Sequence, residues 1–475
     1  MKNNYDVIIV GAGPAGLMCA YELSEKNKDL NVLLIDKGKN IYNRNCPIIN
    51  KKIKKCPVQK NGQIGCLPFC SITNGFGGAG AYSDGKFNIT SEYGGWMNEY
   101  LEDDTILDLI KYADSINLKF GAPKEITDPT TPKVKEIEKK GLAVGLKLLR
   151  GKIRHLGTEV NLKVLKNIFE HLNKNIDMVY EEEVKNIIVE ENIIKGIVLK
   201  ENKKIYSDYV VITPGRDGSY WLSNLAVEHN INMKSNHVDI GVRVETNNEI
   251  MEEINENLYE GKFIYRTKVG STVRTFCSNP RGHVVIENHS GTMLANGHAY
   301  KDSSKGSKNT NFALLVSHKF TEPFNQPNEF AHGVSKLANM LSNGAIIVQR
   351  FGDLQKGRRS TVKRVNEGFV TPTLKEAIPG DLGLVLPHKT MKSIIEMIEA
   401  LDHITPGVAS EHTLLYGVEA KFYSARPEVN KKFESKINNL YFGGDGAGIT
   451  RGLAQASANG IWIARDIILK TTNKL

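Results

Sequence analysis

The stretch that decides the fold is YDVIIVGAGPAGLMCAYELSEK, which runs from Tyr5 to Lys26. Its first apolar run ends at Val10 and predicts a short buried strand of a parallel sheet, bounded by glycine. After the glycines, apolar residues recur at the spacing of one helix face, at Ala15, Met18, Cys19 and Leu23. The stretch therefore predicts a strand, a tight turn and a helix in immediate succession.

Three glycines in this turn follow the G-x-G-x-x-G spacing of dinucleotide-binding loops. Gly11 makes the tight turn, Gly13 lets a pyrophosphate approach the backbone, and Gly16 lets the helix pack on the strand. The helix N-terminus offers free N–H groups and a partial positive charge to the phosphates. A second strand, predicted over 31–35, ends on Asp36, which is placed to accept hydrogen bonds from a ribose.

Length and composition limit the class of protein. A chain of 475 residues is long for one hydrophobic core, so two domains or one domain with a large insertion are expected. No run of eighteen apolar residues occurs, and this predicts that no helix spans a membrane. The first strand begins too near the N-terminus to leave room for a signal peptide, so a cytoplasmic protein is expected.

The formal net charge of +9 comes largely from lysine. It is explained either by a solvated lysine-rich surface or by attraction of anions, such as a nucleotide cofactor or an acidic substrate. The sequence lacks basic stretches with interleaved aromatic residues, so no nucleic-acid partner is predicted.

Four of the six cysteines crowd one segment, with nine, nine and three residues between them. They are Cys46, Cys56, Cys66 and Cys70. Three interpretations stay open: a metal or iron–sulfur site, a redox-active pair, and thiols that shape the loop. Cys19 is expected in the core, and Cys277 stands apart.

A second glycine-rich stretch, NGFGGAGAYSDGK, runs from Asn74 to Lys86. No strand precedes it and no clean helix follows it, so it is not a second dinucleotide loop. Glycines at this density indicate a backbone that lies close to a ligand, although a plain flexible loop is the alternative. Ser83, Asp84 and Lys86 add polar groups at the same place.

The rest of the chain predicts helices over 103–121 and 160–172, then three meander strands and a returning parallel strand that stops at Pro214-Gly215-Arg216. The strands are predicted over 184–189, 193–199, 204–207 and 209–213. Short strands then alternate with helices over 328–341 and 390–401, which indicates an inserted domain. A strand over 440–442 and a helix over 453–469 return to the first domain.

The predicted fold class is α/β: a Rossmann-like, three-layer dinucleotide-binding domain with an inserted, sheet-containing α+β substrate domain. The first domain is expected in three parts, 1–100 with the cysteine-rich loop, 156–224 and 411–475. The predicted insertions are a helical one over 101–155 and a substrate domain over 225–410.

These motifs resemble the FAD-dependent oxidoreductases with a glutathione-reductase-type flavin domain. VIIVGAGPAG with Asp36 looks like the family's ADP-binding motif, and LYFGGDGAG looks like its late glycine–aspartate motif. The resemblance implies that Asp445 bonds a ribityl hydroxyl and that the Val184 backbone contacts adenine. More narrowly, the chain resembles a group of uncharacterised FAD-dependent dehydrogenases, through GFGGAGAYSDGK, VDIGVRVE, VRTFCSNPRG, VEAKFYS and GDGAGITRGLAQAS.

The loop and the resemblance together give one set of expected FAD-binding residues. The set is Gly11, Gly13, Pro14, Ala15, Gly16, Asp36, Lys37, Gly78, Ala79, Gly80, Ser83, Asp84, Val184, Pro214, Gly215, Arg216, Gly444, Asp445, Gly446, Thr450, Arg451, Gly452 and Leu453. Arg216 and Lys86 are expected as cations near the flavin, whereas Arg451 is either such a cation or an ordinary surface arginine.

The inserted domain is expected to cover the flavin and build the substrate pocket. Its most reactive segment is VRTFCSNPRGHVVIENH. The segment contains arginines, which bind carboxylates and phosphates, and a cysteine, a residue that donates protons or acts as a nucleophile. The candidate catalytic residues are Cys277, Lys86 and Arg274. Since no second strand–GxGxxG–helix unit occurs, a fixed NAD(P) domain is not expected. The candidate electron sources are transient NAD(P)H, a protein electron donor and the substrate itself.

The leading hypothesis is an FAD-dependent oxidoreductase that dehydrogenates or reduces a small organic substrate, with anionic compounds among the candidates, by hydride transfer at flavin N5. One alternative is a thiol–disulfide or electron-transfer flavoprotein that uses the cysteine cluster. The others are a flavin- or metal-binding sensor without turnover and, more weakly supported, a monooxygenase.

Overall fold

The computed structural model describes residues 2–47, 50, 52–53, 57, 66–258, 261–289, 292–299 and 303–472. The chain forms two compact units. Unit 1 comprises Met1–Thr127, Gly151–Lys234 and Ser424–Leu475, and unit 2 comprises Asp128–Arg150 and Ser235–Tyr423. Residues 128–150, predicted as part of the helical insertion over 101–155, belong to unit 2 instead. The predicted substrate domain, 225–410, differs at both ends from the corresponding part of unit 2, Ser235–Tyr423.

The strands are, in chain order, β1 (Asn4–Val10), β2 (Val32–Asp36), β3 (Lys86–Ile89), β4 (Leu146–Leu148), β5 (Lys152–His155), β6 (Asp177–Tyr180), β7 (Val184–Glu190), β8 (Ile193–Leu199), β9 (Lys204–Ile212), β10 (Met233–Lys234), β11 (Val238–Asn247), β12 (Phe263–Arg266), β13 (Thr272–Asn279), β14 (His283–His289), β15 (Thr292–His298), β16 (Asn309–His318), β17 (Ile347–Arg350), β18 (Ile378–Pro379), β19 (Leu414–Lys421), β20 (Arg426–Pro427) and β21 (Leu440–Phe442).

The helices are α1 (Pro14–Lys26), α2 (Asp103–Lys119), α3 (Pro132–Ala143), α4 (Thr158–Leu172), α5 (Ser219–Glu228), α6 (Asn248–Asn257), α7 (Pro327–Leu341), α8 (Phe351–Gln355), α9 (Val362–Asn366), α10 (His388–Asp402) and α11 (Leu453–Thr472). Short 3-10 helices span Gly78–Tyr82, Met97–Glu99, Arg216–Gly218, Ser303–Lys305, Leu382–Leu384 and Asp445–Ala447.

Unit 1 is built on parallel strands in the order β6-β2-β1-β9. The last half of β9 also pairs in parallel with β21, and its first half pairs antiparallel with β8, which continues to β7. The apolar residues of β1 and β2 are almost fully buried, as strands covered on both faces require. Helix α11 approaches α1 so closely that a Cβ atom on Gly460 would stand 1.9 Å from the Ala15 carbonyl oxygen.

One predicted boundary in this sheet is wrong. The segments 204–207 and 209–213 were predicted as separate strands, but β9 is one strand that runs through Asp208. Its alternation of exposed and buried residues continues across Asp208, so the polar residue occupies an outward position instead of a turn. Because β9 is continuous, the meander joins directly to the parallel sheet.

Unit 2 contains an eight-stranded sheet in the order β18-β17-β19-β11-β16-β13-β12-β4. All of its pairings are antiparallel except that between β17 and β18. Residues 128–150 belong to unit 2 because β4 pairs with β12. One face of β11 packs Ile240 and Val242 into a hydrophobic core, whereas its other face carries the fully buried Asp239, Arg243 and Glu245.

The predicted fold class is confirmed: a Rossmann-like α/β unit and an inserted α+β unit. The helices predicted over 328–341 and 390–401 are observed as α7 and α10. Within the described ranges, none of the helices is both long enough and apolar enough to cross a membrane.

Candidate functional site

The first glycine loop contains two packing glycines and one open glycine. A Cβ atom on Gly11 would stand 2.2 Å from the Thr213 carbonyl oxygen, and one on Gly16 would stand 1.9 Å from the Gly11 carbonyl oxygen. A Cβ atom on Gly13 would meet no described atom within 4 Å. Gly13 caps α1, and no described side chain hydrogen-bonds to this helix end as a cap. The space above the helix therefore suits an anionic group such as a pyrophosphate.

Asp36, at the end of β2, joins three segments of unit 1. Its carboxylate accepts hydrogen bonds from the backbone N–H groups of Ala12 (2.8 Å), Gly38 (2.7 Å) and Gly75 (3.0 Å). A carboxylate has about four acceptor sites, so Asp36 retains capacity for a ribose hydroxyl. The predicted ribose ligand thus also holds the two glycine-rich segments together.

An open cleft of about 480 Å³ lies beside Asp36. Residues from five parts of the sequence line it, among them Gly11, Asp36, Lys37, Val184, Pro214 and Trp221. Of these six residues, all except Trp221 were predicted as cofactor-binding residues. Lys37 is held by an ion pair of 2.6 Å with Asp217. Trp221 lies on α5, and no motif in the sequence marks it.

The second glycine stretch packs directly on the first loop. The Gly77 N–H donates to the Ala12 carbonyl oxygen at 2.8 Å, and a Cβ atom on Gly78 would stand 3.1 Å from the Gly13 Cα. A Cβ atom on Gly80 would stand 2.6 Å from Leu453 Cδ2, at the start of α11. The stretch therefore connects the pyrophosphate space to the N-terminus of α11.

The C-terminal turn brings a second carboxylate to a helix start. Asp445 accepts hydrogen bonds from the Thr450 hydroxyl (2.7 Å) and from the Gly452 N–H (3.1 Å). Burial raises the pKa of the Asp445 carboxyl, while those hydrogen bonds and the charges of Arg451 and Arg216 act in the opposite direction. Asp445 is thus placed near both predicted arginines.

This turn also packs on the turn that follows β9. A Cβ atom on Gly446 would stand 2.0 Å from the Gly215 carbonyl oxygen. Gly215 and Gly452 themselves face space free of described atoms within 4 Å. The predicted residues Gly215, Arg216, Asp445 and Thr450 therefore form one group at the end of the sheet.

Lys86 lies in a small charged cluster at the end of the second glycine stretch. Its Nζ is 3.4 Å from Asp84 Oδ2, and His155 Nε2 is 3.5 Å from the same oxygen. His155 was not among the predicted site residues. It reaches Asp84 only because β3 pairs with β5, a contact between segments almost seventy residues apart in sequence.

Arg274 and Cys277 lie on β13 in unit 2. Cys277 is exposed at a bulge, with φ of 27°, and its carbonyl oxygen accepts a hydrogen bond from Arg243 Nη1 at 3.0 Å. Arg243 also forms two hydrogen bonds to Glu419 inside the sheet, at 2.7 and 2.8 Å. The buried Nε of Arg274 has no hydrogen-bond partner among the described residues. Catalytic roles for Arg274 and Cys277 stay predictions.

Two cysteines of the cluster, Cys46 and Cys70, are free thiols. Cys66 and Cys70 line a cavity of about 630 Å³ together with Lys37, Lys39 and Glu181. No group of three or more metal-ligating side chains occurs in the part of the chain that the structure describes. Cys56 lies outside the described residues, so the metal, redox and loop-shaping interpretations stay predictions.

Family models match three parts of the chain. Residues 5–77 match the pyridine nucleotide-disulphide oxidoreductases, 139–277 match glucose inhibited division protein A, and 237–422 match the C-terminal domain of FAD-dependent proteins. The first match contains the open glycine, Asp36 and the first four residues of the second glycine stretch. The protein is an FAD-dependent oxidoreductase. Its site fits FAD for three reasons, all at the carboxyl end of the sheet. These are the cleft beside Asp36, the open N-terminus of α1, and the carboxylates of Asp36 and Asp445.

The chain of this oxidoreductase is similar to two relatives over nearly its whole length. It is 27% identical to an uncharacterised protein of Clostridium beijerinckii, over 98% of this chain and 80% of the relative. It is 24% identical to a tRNA uridine 5-carboxymethylaminomethyl modification enzyme of Ureaplasma urealyticum, over 99% of this chain. The chain spans only 64% of that enzyme's length.

Solved structures resemble the oxidoreductase at a low level. Formate oxidase of Aspergillus oryzae matches with a TM-score of 0.45 at 13% identity, over 100% of this chain and 99% of that chain. Quinol fumarate reductase of E. coli matches with a TM-score of 0.40 at 13% identity, over 99% of this chain and 71% of that chain. The fold assignment rests on the strand order and the glycine loop. The resemblance to a glutathione-reductase-type flavin domain and the narrower one to a group of uncharacterised FAD-dependent dehydrogenases stay predictions.

Proposed function

We propose that the protein dehydrogenates or reduces a small, anionic organic substrate by hydride transfer at flavin N5. The observation that carries this proposal is the set of cations near Asp445 and the second glycine stretch. The charges of Arg216 and Arg451 both act on Asp445, and Lys86 is the last residue of the second glycine stretch. A substrate with a carboxylate or phosphate would be attracted to this end of unit 1.

Each group of residues has a proposed part in the reaction. When bound, FAD supplies the acceptor or donor of the hydride. Asp36 would hold the adenosine ribose, and Asp445 would hold the ribityl chain. The N-terminus of α11 would stabilise the negative charge of the reduced flavin ring through the helix dipole. Arg274, in unit 2, stays a candidate from the sequence alone; its buried Nε lacks a described partner.

The position of the thiols supports hydride transfer over the thiol–disulfide alternative. The cavity lined by Cys66 and Cys70 shares Lys37 and Asn74 with the cleft beside Asp36, where the adenosine of FAD would lie and which we call the adenosine cleft. A thiol pair that exchanged electrons with the flavin ring would lie near Asp445 instead. This placement makes a direct electron path from these two cysteines to the ring unfavourable.

The Ureaplasma relative suggests tRNA as a second candidate substrate. The observation in its favour is the match along 99% of this chain, together with the net charge of +9. Against it, the identity is only 24%, and the sequence lacks basic stretches with interleaved aromatic residues. We therefore place tRNA second, and a fluorescence-anisotropy titration with total tRNA tests it directly.

The proposal is tested with anaerobic, FAD-loaded protein and a panel of carboxylates, organic phosphates, neutral analogues, NADH and NADPH. Bleaching of the oxidised flavin by an anionic compound is expected. Lys86→Met should raise the half-saturating concentration of that compound about 10-fold without changing the FAD content, about 1.4 kcal/mol of binding. Lys119→Met is the matched control, because Lys119 pairs with Glu25 near the far end of α1.

Two results would contradict the proposal. If only neutral compounds reduce the flavin, the substrate is not anionic. If reduced enzyme is reoxidised by none of the panel at catalytic rates, the sensor alternative is favoured.

A further inference from the structure

A second pocket of unit 1 lies between the second glycine stretch and four helices, and we call it the apolar pocket. Its volume is about 480 Å³, and residues of α1, α2, α4 and α11 line it. It shares no lining residue with the adenosine cleft, and it is not lined by Asp445, Thr450 or Arg451. Most of its apolar side chains lie outside the predicted FAD-binding set; they are Leu17, Met18, Phe87, Leu156, Leu165 and Ile168.

Three residues form the border between the apolar pocket and the predicted FAD site. A Cβ atom on Gly80 would stand 2.6 Å from Leu453 Cδ2 and 3.8 Å from Pro14 Cγ, so the three residues pack together. All three line the pocket, and all three are predicted FAD-binding residues. Pro14 also directly follows Gly13, the open glycine of the first loop. The apolar pocket is therefore a neighbour of the FAD site and a separate space.

Two buried polar side chains that line the apolar pocket have no hydrogen-bond partner among the described residues. They are Asn117 on α2, which is 8% exposed, and Ser457 on α11, which is 2% exposed. The pocket's third polar side chain, Asn161, differs from them because its amide donates to the Gly80 carbonyl oxygen at 2.8 Å. Buried polar groups in native proteins are nearly always hydrogen-bonded. Asn117 and Ser457 therefore indicate a partner that enters the pocket.

We propose that the apolar pocket binds a neutral, mainly apolar molecule that carries one hydroxyl or carbonyl group. No charged side chain of the described residues lines the pocket, so an ion there would be buried without a counter-charge. The apolar side chains would cover the body of the molecule, as in most small-molecule sites. The Asn117 amide and the Ser457 hydroxyl each donate and accept hydrogen bonds, so they suit a hydroxyl or a carbonyl group. This ligand is distinct from the anionic substrate of the proposed reaction.

A phenol is the simplest probe of this class. The binding of 4-fluorophenol to FAD-loaded protein is followed by fluorine NMR titration. Fluorobenzene has the same ring without the hydroxyl group, and 4-fluorobenzoate carries a negative charge instead. We expect a Kd of about 1 mM or below for 4-fluorophenol. Fluorobenzene should bind about 10-fold more weakly, because it leaves Asn117 and Ser457 unpaired, and 4-fluorobenzoate should show no saturable binding.

Two variants show where the probe binds. Leu165→Trp places a larger side chain in the pocket and should abolish the binding of 4-fluorophenol. Leu162→Trp is the matched control, because Leu162 lies one turn earlier on α4, packs against the same core and does not line the pocket. Asn117→Leu removes one unpaired amide, so it should weaken 4-fluorophenol about 10-fold without weakening fluorobenzene.

Three results would overturn the proposal. If 4-fluorophenol shows no saturable binding up to about 10 mM, the pocket holds water only. If its affinity is the same in wild type, Leu165→Trp and Asn117→Leu, the probe binds elsewhere. If 4-fluorobenzoate binds as tightly as 4-fluorophenol, the site does not select neutral molecules. Should Leu165→Trp fail to fold, Asn117→Leu decides the location alone, because its loss for the phenol and not for fluorobenzene requires contact with the amide.

Discussion

The N-terminal loop and the C-terminal turn of unit 1 both bring glycines and one aspartate to the start of a helix, but they differ in what the aspartate holds. The Asp36 carboxylate accepts the N–H group of nearby Gly38 and also those of Ala12 and Gly75, which lie in two segments distant in sequence. The Asp445 carboxylate accepts hydrogen bonds from Thr450 and Gly452, both in its own turn. The first aspartate therefore organises the unit, whereas the second acts within one turn.

The glycines of the two turns divide by function in the same manner. Gly16 and Gly446 are required by close backbone packing, since a Cβ atom on either would stand within 2.0 Å of a carbonyl oxygen. Gly13 and Gly452 face open space. Glycines of the first kind serve the fold, and glycines of the second kind leave room for the ligand. Substitutions should separate the two kinds cleanly.

Gly16→Ala should have the largest effect. The added methyl group would overlap the Gly11 carbonyl oxygen, which belongs to the backbone and cannot move aside. We expect a loss of more than about 3 kcal/mol in the free energy of unfolding, and little folded protein. Urea unfolding followed by circular dichroism measures it. A variant that unfolds at the wild-type urea concentration would show that the two segments are not in contact.

Gly13→Val should leave the fold intact and abolish FAD binding. A Cβ atom at this position meets no described atom within 4 Å, and the branched side chain would occupy the space assigned to the pyrophosphate. The affinity for FAD should fall at least about 100-fold, close to 3 kcal/mol, while the urea midpoint of the FAD-free protein stays within error. Calorimetric titration with FAD provides the measurement. FAD retained at wild-type affinity would place the pyrophosphate elsewhere.

Asp36→Ala should damage both stability and binding. It leaves the N–H groups of Ala12, Gly38 and Gly75 without their acceptor, which should cost about 2–3 kcal/mol of stability in the FAD-free protein. Asp6→Ala is the matched control, because Asp6 accepts the Asn31 N–H at the opposite end of the sheet. Only Asp36→Ala should also weaken FAD binding. Equal losses of FAD affinity in both variants would mean that the effect is general destabilisation.

Asp445→Ala should have a smaller effect on the fold than Asp36→Ala. Its hydrogen bonds stay within one turn, so we expect about 1 kcal/mol of lost stability and a clear loss of FAD affinity. Thermal unfolding of the FAD-free protein and calorimetric FAD titration give the two quantities. A stability loss larger than that of Asp36→Ala would reverse the comparison between the two turns.

The predicted site residues that the structure brings together are those set by local motifs. Gly11, Gly13 and Asp36 follow from a spacing within one strand–turn–helix–strand unit, and the turn at Asp445 repeats that arrangement. The structure brings Val184 to the cleft because β7 begins there, as the resemblance implied. Local sequence motifs therefore account for most of the residues that line the predicted cofactor site.

The parts that were missed depend on pairing between distant segments. His155 meets Asp84 only through the β3–β5 pair, and β4 joins unit 2 only through its pairing with β12. Such pairings leave no periodic signal in a short window, because each strand has only three or four residues. Trp221 was missed for a related reason, since an aromatic residue on a helix is more often a packing residue than a cleft wall.

The smallest effect is expected from the thiols next to the adenosine cleft. The double variant Cys66→Ser, Cys70→Ser should keep its flavin spectrum, its FAD affinity and its rate of flavin reduction by the active compound of the panel. The reason is position: both cysteines line the cavity that shares Lys37 with the cleft, at the end of the site away from Asp445. Stopped-flow absorbance measures the rate. A loss of turnover with an unchanged flavin spectrum would restore the thiol–disulfide alternative, and would mean that the cysteine segment reaches the ring by a movement absent from the described structure.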